Sequence, residues 1–161
     1  MASHLHNLSS DDGIIADVTT YSFGIVVAGY HKEVTDALFG GCFKTLTANG
    51  ARQDNIFIEN VPGAFELPLA AQQLYEAKKP DAIICLGCVV RGETPHFDFI
   101  CDAVANGIMQ LNLKFSVPFI LGVLTTEDIL QANARSGGKH GNKGVEAALT
   151  AIKMLTRNKQ L

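Results

Sequence analysis

The amino-acid sequence predicts an α/β domain in which helices cover both faces of a parallel sheet. Two continuous apolar runs rich in β-branched residues, 22–28 (SFGIVVA) and 81–90 (DAIICLGCVV), are typical of strands buried on both faces. The segments between such runs repeat their apolar residues with the 3.6-residue period of a helix. Strands that alternate with helices are joined by right-handed crossovers, which place them parallel in one sheet.

The first half of the chain contains two predicted strand–helix pairs. The strand over 22–28 is followed by the turn Gly29-Tyr30-His31 and a helix over 33–49, which the pair Asn49-Gly50 ends. A second strand over 55–60 leads through Val61-Pro62-Gly63 into a helix over 65–77. Pro68 is compatible with that helix because it lies in the first turn, where the backbone N–H has no helical partner.

The second half adds two more strands and three more helices. The predicted elements are a strand over 81–90, a helix over 97–115, a strand over 117–123, a short helix over 126–134, a flexible loop over 137–144 and a final helix over 145–158. This order predicts a three-layer fold with a four-stranded parallel sheet of the flavodoxin-like type. The strands of such a sheet end at a common edge, and ligands bind at that edge.

Composition and charge narrow the class of protein further. The chain of 161 residues has a net charge of −3 and 47% hydrophobic residues, which suits one globular domain. There is no clustered basic face for nucleic acid and no apolar run long enough to span a membrane. We expect residues 1–21 to form a tail or arm without a secretion signal, residues 22–161 to form a single domain, and the protein to be cytoplasmic.

The four cysteines predict reduced, buried thiols. Cys42, Cys85, Cys88 and Cys101 all lie in apolar or helical contexts. Cys85 and Cys88 form a C-x-x-C pattern, but within a strand residues three apart point to opposite faces. The pair therefore predicts neither a disulfide nor a metal site, and the scattered histidines show no metal-ligand spacing.

Candidate chemical residues follow the ends of the predicted strands. His96 follows a buried strand and fits either an acid–base group, with Asp98 to orient its ring, or an idle solvated side chain. Tyr30 fits either a cap on the edge of the core or a stacking platform for a planar ligand. Glu66 fits either a first-turn carboxylate favoured by the helix dipole or an acceptor for ligand hydroxyls.

Cationic and small polar residues suggest that the ligand is anionic. Arg91 fits an anion site or an ion pair with Glu93 or Asp98, and Thr94 with nearby backbone N–H groups offers donors for a phosphate. Arg135 by itself is typical of a helix C-terminus. The glycine-rich run 137–144 lacks the spacing of a nucleotide phosphate loop. The residues alone predict a domain that binds a planar, anionic or phosphorylated small molecule.

Five motifs occur in order along the chain and carry a specific resemblance. They are Phe23–Ala28 (FGIVVA), Val61–Pro68 (VPGAFELP), Gly87–Asp98 (GCVVRGETPHFD), Gly122–Thr126 (GVLTT) and Gly141–Gly144 (GNKG). Together they resemble the 6,7-dimethyl-8-ribityllumazine synthase family, over about residues 22–156. The resemblance implies a fold of the lumazine synthase type and a transferase that uses no metal and no organic cofactor.

The resemblance also implies a reaction and its residues. The family condenses 5-amino-6-(D-ribitylamino)uracil with 3,4-dihydroxy-2-butanone 4-phosphate, releasing phosphate and water, in the penultimate step of riboflavin biosynthesis. His96 matches the proton-transfer residue and Arg135 the arginine that binds the substrate phosphate. The positions that match substrate-binding residues are Tyr30, Ala64, Phe65, Glu66, Cys88, Val89, Val90, Glu93, Thr94, Leu121, Arg135 and Lys143.

Assembly is a further implication, because the family's sites lie between neighbouring subunits of a pentamer. The resemblance implies that one subunit supplies Tyr30, Glu66 and His96 and that its neighbour supplies Leu121, Arg135 and Lys143. We expect a homo-oligomer built on pentamers; the absence of an insertion in 135–144 favours an icosahedral shell of sixty subunits, with riboflavin synthase as a possible partner. The chain departs from the family pattern at Gly29-Tyr30-His31, Leu121 and Ala134. The departures at Tyr30-His31 and Ala134 motivate the alternative of a catalytically weak flavin- or lumazine-binding or shell-forming scaffold, and a flavodoxin-like electron carrier is a third reading.

Overall fold

The structure is a computed structural model that describes residues 15–157. Its strands are β1 (Phe23–Ala28), β2 (Ile56–Val61), β3 (Ala82–Val90), β4 (Phe119–Thr126), β5 (Ser136–Gly138) and β6 (Gly141–Asn142). Its α-helices are α1 (Lys32–Ala48), α2 (Leu67–Lys78), α3 (His96–Phe115), α4 (Ile129–Ala134) and α5 (Lys143–Arg157), with 3-10 turns over Gln53–Asn55 and Ala64–Glu66. Every predicted strand and helix is present in the predicted order. Asn158, the predicted end of the last helix, lies outside the described residues.

The first four strands form one parallel sheet in the order β2-β1-β3-β4. β1 is central, with Phe23 opposite Ile56 on one side and opposite Ala82 on the other. β4 lies at the edge and pairs with β3 along its full length. This order and the helical crossovers confirm the predicted three-layer, flavodoxin-like fold.

The two faces of the sheet pack into two separate cores. One face packs against α1 and α5, where Leu38 and Ile152 are fully buried, and the other packs against α2 and α3, where Leu67 is fully buried. Cys88 belongs to the first core and Cys85 to the second. The prediction that these cysteines point to opposite faces of one strand is therefore confirmed.

The boundaries of β4 and α4 differ from those predicted. β4 begins at Phe119 because Pro118 has no N–H to give to the sheet, and it continues to Thr126 because its pairing with β3 extends to Val90. The next helix therefore starts only at Ile129. Asp128 caps it, since its Oδ1 accepts a hydrogen bond from the Gln131 N–H at 2.8 Å.

The segment predicted as a loop over 137–144 contains a short antiparallel hairpin of β5 and β6. Gly137 and Gly141 have φ of 108° and 83°, a region that glycine enters without steric cost. Asn142 fixes the hairpin to α1, because its Nδ2 donates to the Ala37 carbonyl at 3.0 Å. Its Oδ1 accepts from the Gly144 N–H at 2.8 Å and so caps α5. Sequence reasoning missed this anchor, which joins residues 105 positions apart.

Residues 15–21 form neither helix nor strand, yet they pack onto the domain. Val18 is fully buried in the core beneath α1, and its N–H donates to the Asn49 carbonyl at 3.0 Å. The Ile15 N–H donates to Asn49 Oδ1 at 2.8 Å. Residues 1–14 and 158–161 lie outside the described residues, so the division into a tail over 1–21 and a domain over 22–161 stays a prediction. None of the helices between residues 15 and 157 has the length and apolarity that a bilayer span requires.

Candidate active site

The carboxyl ends of β1, β2 and β3 surround the first candidate cavity, as the fold class predicts. Its volume of about 580 Å³ suits a small-molecule ligand. The predicted site residues that line it are Tyr30, Ala64, Phe65, Glu66, Cys88, Val89, Val90 and His96, joined by His31, Pro62, Gly63 and Ile100. The structure therefore brings together most of the residues expected to bind a pyrimidine.

Tyr30 lies at the mouth of this cavity and is 67% exposed. A ring so exposed does not cap the core, so the structure favours the stacking-platform interpretation. The ring packs closely against Gly63, where an added Cβ would lie 2.8 Å from two ring carbons. Gly63 therefore leaves the space that the aromatic ring occupies.

Glu66 closes the 3-10 turn that follows β2. Its Oε2 accepts a hydrogen bond from the Gly63 N–H at 3.0 Å, which fixes the carboxylate beside the cavity. An ionised carboxylate has several acceptor positions, so this contact leaves capacity for the hydroxyls of a ligand. Glu66 can therefore be both a carboxylate in the first turn of a helix and an acceptor for ligand hydroxyls.

His96 is the first residue of α3 and lines the cavity with an exposed side chain. The expectation that Asp98 orients its ring is not met. Both oxygens of Asp98 accept hydrogen bonds from Arg91, each at 3.2 Å. Within the described part of the chain, His96 has no hydrogen-bond partner, which leaves its ring nitrogens to a ligand.

Arg91 is the most heavily engaged side chain at this edge of the sheet. Its Nε donates to Glu127 Oε2 at 2.7 Å, its two Nη atoms donate to Asp98, and its guanidinium lies 4.2 Å from the ring centroid of Phe97. The hydrogen bonds that Arg91 donates to Asp98, and then to Glu127, hold the pKa of Arg91 above its usual value. Of the interpretations left open by the sequence, the ion pair with Asp98 is confirmed and one with Glu93 does not form.

A second cavity of about 600 Å³ lies beyond the end of β4, between α4 and the start of α5. Three cationic side chains line it, namely Arg135, Lys139 and Lys143, against one carboxylate, Asp128. Such a surplus of positive charge suits an anionic ligand.

A buried carboxylate holds two of these cations in place. Glu146 is only 5% exposed, and its Oε2 accepts a hydrogen bond from Arg135 Nη2 at 3.1 Å. Its Oε1 lies 2.9 Å from the same nitrogen but off the N–H axis, so that contact is electrostatic. Lys143 Nζ lies 3.4 Å from Oε2, and Arg135 Nη1 donates to the His140 carbonyl at 2.7 Å. Arg135 is thus oriented by α5 and the hairpin.

The remaining predicted residues lie outside both cavities. Glu93 and Thr94 are exposed in the turn between β3 and α3, and Leu121 is 42% exposed on the edge strand β4. The two cavities share no lining residue. A single chain therefore does not bring His96 and Arg135 into one pocket.

The contacts of two carboxylates at these sites were not anticipated from the sequence. The sequence could have indicated a buried, paired Glu146, because this residue is the one acid of α5 and lies beside Ala147 and Ala148 on the buried face of that helix. Glu127 follows the fourth predicted strand and so was expected at the same edge of the sheet, but its contact with Arg91, 36 positions away in the chain, depends on how β3 and β4 pair.

Cys88 is a wall of the first cavity. Burial raises the pKa of its thiol to about 11, so the thiol stays protonated at neutral pH. A neutral thiol is a poor nucleophile, which argues against covalent chemistry at this position.

Comparison with known proteins gives the same family across nearly the whole chain. A model of 6,7-dimethyl-8-ribityllumazine synthase matches residues 20–159. The chain belongs to this family. A 6,7-dimethyl-8-ribityllumazine synthase of Cytophaga hutchinsonii is 54% identical over 157 residues, which cover 98% of this chain and 99% of the relative. Its counterpart in Porphyromonas gingivalis is 51% identical and covers 96% of each chain.

The lumazine synthase match includes both cavities and all the predicted site residues, from Tyr30 to Lys143. A relative from Parabacteroides distasonis is 49% identical over 96% of this chain and 98% of its own length. Among residues 15–157 no group of three or more His, Cys, Asp or Glu side chains is placed to hold a metal ion.

Proposed function

We propose that two copies of the chain together form its active site. Membership of the lumazine synthase family makes the chain a transferase of riboflavin biosynthesis, which condenses 5-amino-6-(D-ribitylamino)uracil with 3,4-dihydroxy-2-butanone 4-phosphate to 6,7-dimethyl-8-ribityllumazine. One observation carries the proposal: His96 lies in one cavity and Arg135 in the other. The reaction needs a proton-transfer group and a phosphate-binding cation at the same substrate. His96 and Arg135 can therefore act together only if they come from two neighbouring chains.

The first cavity supplies the pyrimidine half of the composite site. The exposed Tyr30 ring stacks on the planar pyrimidine, and Val89 and Val90 form an apolar wall. Ala64, Phe65 and Glu66 hold the edge of the ring and the ribityl hydroxyls, the last through its carboxylate. Leu121 and Lys143 come from the neighbouring chain and complete the pocket.

His96 serves the proton transfers of the condensation. The aryl amine attacks the ketone, the carbinolamine loses water to give an imine, phosphate leaves, and the second amine closes the ring with loss of water. Each step moves a proton at or beside the same carbon atoms, so one unengaged imidazole can act repeatedly. Holding the two substrates in register supplies much of the remaining acceleration.

The substrate phosphate lies between the turn at Glu93 and Thr94 and the Arg135 of the neighbouring chain. The Thr94 hydroxyl and the N–H groups at the start of α3 are suitable donors for a phosphate. Arg135 stabilises the charge on the departing phosphate, because its guanidinium has more N–H donors than Glu146 and His140 use.

Exposed apolar residues on α3 and β4 support contacts between subunits. Met109 and Leu113 are 57% and 75% exposed one turn apart on α3, and Leu121 on the edge strand is also exposed. Large side chains of this kind are enriched where a surface is covered by a partner. We infer a homo-oligomer built on pentamers, as the family resemblance implies.

Three further proposals concern the assembly and its setting. The compact hairpin of β5 and β6 adds no protruding insertion, which supports closure of pentamers into an icosahedral shell. Riboflavin synthase, which would consume the lumazine, is the proposed partner. A cytoplasmic location fits the four free cysteines between residues 15 and 157.

Turnover of both substrates tests the reaction and the role of His96. The purified protein is mixed with the ribitylaminouracil and the butanone phosphate, and lumazine absorbance and phosphate release are followed. We expect turnover above the uncatalysed background and a rate lower by a factor of about 100 or more in His96→Ala. An H96A rate equal to wild type would overturn the assignment of His96. Binding of product without turnover by the wild type would favour the scaffold alternative.

Complementation tests whether the site is shared between chains. His96→Ala and Arg135→Ala proteins are each dissociated, mixed in equal amounts and reassembled. A shared site is intact where an R135A chain supplies His96 and its neighbour, an H96A chain, supplies Arg135. If mixing is random, about a quarter of the sites have this arrangement and regain activity. Mixing H96A with Tyr30→Ala is the matched control: both lesions fall in the same half-site, so the mixture should show no more than the mean activity of its two separate components. An H96A and R135A mixture that likewise stays at the mean of its two components would place the whole site in one chain.

A further inference from the structure

Arg91 and Asp98 form a contact across the turn that joins β3 to α3. The turn, residues 92–95, carries Glu93 and Thr94 and is followed directly by His96. All of these residues are exposed, and an added Cβ at Gly92 would meet no heavy atom within 4 Å. In the described structure neither Glu93 nor Thr94 has a side-chain hydrogen bond or ion pair. The turn itself therefore has little packing to fix its shape.

Each of the three nitrogens of the Arg91 guanidinium donates a hydrogen bond to a carboxylate near this turn. Asp98 accepts from both Nη atoms at 3.2 Å in bidentate geometry, and Glu127 accepts from Nε at 2.7 Å. The Phe97 ring covers one face of the guanidinium. The Arg91 N–H also donates to the Thr126 carbonyl at 2.9 Å, which ties the start of the turn to the end of β4. This arrangement leaves the guanidinium poorly placed to bind a phosphate as well.

We propose that Arg91 is a positioning residue that fixes the β3–α3 turn, and with it the phosphate-binding backbone and His96, through its bidentate pair with Asp98. This inference rests on the proposed function, because it assumes that the turn binds the substrate phosphate. Isolated surface ion pairs contribute little, but a bidentate arginine within a network of two carboxylates and an aromatic ring is the favourable case. Arg91 and Asp98 bracket the turn, so their pairing sets the distance between its ends.

Loss of either partner releases the turn in the same way. We expect Arg91→Gln and Asp98→Asn each to raise both the KM for the butanone phosphate and the inhibition constant of inorganic phosphate about tenfold, with little change in the KM for the pyrimidine. The double variant should be no worse than either single variant, because the shared contact is already lost. Arg91→Lys should recover only part of the loss, since a lysine cannot make the bidentate pair.

The two arms of this experiment separate a positioning role from direct binding. If Arg91 itself bound the phosphate, R91Q would weaken phosphate inhibition while D98N would leave it unchanged or strengthen it, and the effects would combine. That result, or unchanged constants in both single variants, would overturn the proposal. Arg52→Ala is the matched control for loss of an exposed positive charge away from the turn, and should leave all constants unchanged.

If the proposed function is wrong, the result differs from the one expected if only the positioning role of Arg91 is wrong. In that case the wild type itself would show neither turnover nor inhibition by inorganic phosphate. Melting curves and size-exclusion profiles of each variant, at equal protein concentration, establish that the fold and assembly are retained. The exposed position of the Arg91 network makes that retention the expected result.

Discussion

The same substitution, glycine to alanine, should have opposite effects at two positions of the α1–α5 helix pair, one inside the contact between the helices and one outside it. Gly144 lies in the first turn of α5, where an added Cβ would sit 1.9 Å from the carbonyl oxygen of Leu38 in α1 and 2.6 Å from its carbonyl carbon. Gly40 lies on the exposed side of α1, where an added Cβ would meet no heavy atom within 4 Å. Both residues are helical, so the intrinsic preference for alanine over glycine is similar at the two sites.

The magnitudes follow from the local geometry. Alanine stabilises a helix interior relative to glycine by about 0.5–1 kcal/mol, and at Gly40 nothing opposes this gain. At Gly144 the obstructing atoms belong to backbone, so α1 and α5 must move apart by more than 1 Å to reach an acceptable contact. Overpacking of this kind costs about 1–3 kcal/mol and we expect the upper end, which leaves a net loss of about 2 kcal/mol for Gly144→Ala.

Urea unfolding of wild type, Gly144→Ala and Gly40→Ala measures both effects. Protein concentration must be matched because the proposed subunit association would shift the midpoint. We expect the midpoint to fall for G144A and to rise slightly for G40A, with unchanged m-values. A G144A protein within about 0.5 kcal/mol of wild type would show that the helices separate at little cost and would refute the reasoning.

Two further predictions concern the first cavity and the buried thiols. Tyr30→Ala should raise the KM for the pyrimidine by about 2–12-fold, the equivalent of 0.5–1.5 kcal/mol of aromatic stacking, while Tyr30→Phe should not. Because Tyr30 is mostly exposed, neither variant should change the melting temperature; a large drop for Y30A would mean that the ring is structural. Burial raises the pKa of Cys85 from 9.0 to about 12, so the folded form retains the proton more strongly than the unfolded form. Its contribution to stability is therefore complete below pH 9 and declines by about 1.4 kcal/mol per pH unit above it, until the folded thiol also ionises. Wild type should lose stability between pH 9 and 11 more steeply than Cys85→Ala, and parallel slopes would contradict this assignment.

Much of the fold could be predicted because its signals are local. The apolar runs of β1 and β3 and the periodicity of α1 and α3 indicate their own secondary structure, and the order of elements restricts the sheet to one handedness. The positions of Tyr30, Glu66 and His96 after strand ends predict that they lie at one edge of the sheet. The error at β4 arose because the end of a strand depends on its partner, here β3, and not on its own residues.

The candidate site shows the same division. Residue types and their positions after strands suggested a stacking aromatic and an acid–base histidine, whereas the phosphate-binding role of Arg135 was implied only by the family resemblance. The sequence could not show that Asp98 pairs with Arg91 instead of His96, since a guanidinium offers it two charge-assisted hydrogen bonds. Nor could it show that Glu146 holds Arg135, because that contact needs α5 to lie beside the hairpin.

The sequence by itself determined the order of elements, the burial of the central strands and the membership of the lumazine synthase family, because each is carried by short-range patterns or ordered motifs. Only the tertiary structure decided which side chains meet: the bidentate pair at the β3–α3 turn, the contact of Glu146 with Arg135, and the anchoring of the hairpin by Asn142. These outcomes depend on strand register and helix packing, which are set by contacts between residues far apart in the chain. The physical reason is that a contact is specified by two distant residues together, whereas the sequence around either one carries only half of that information.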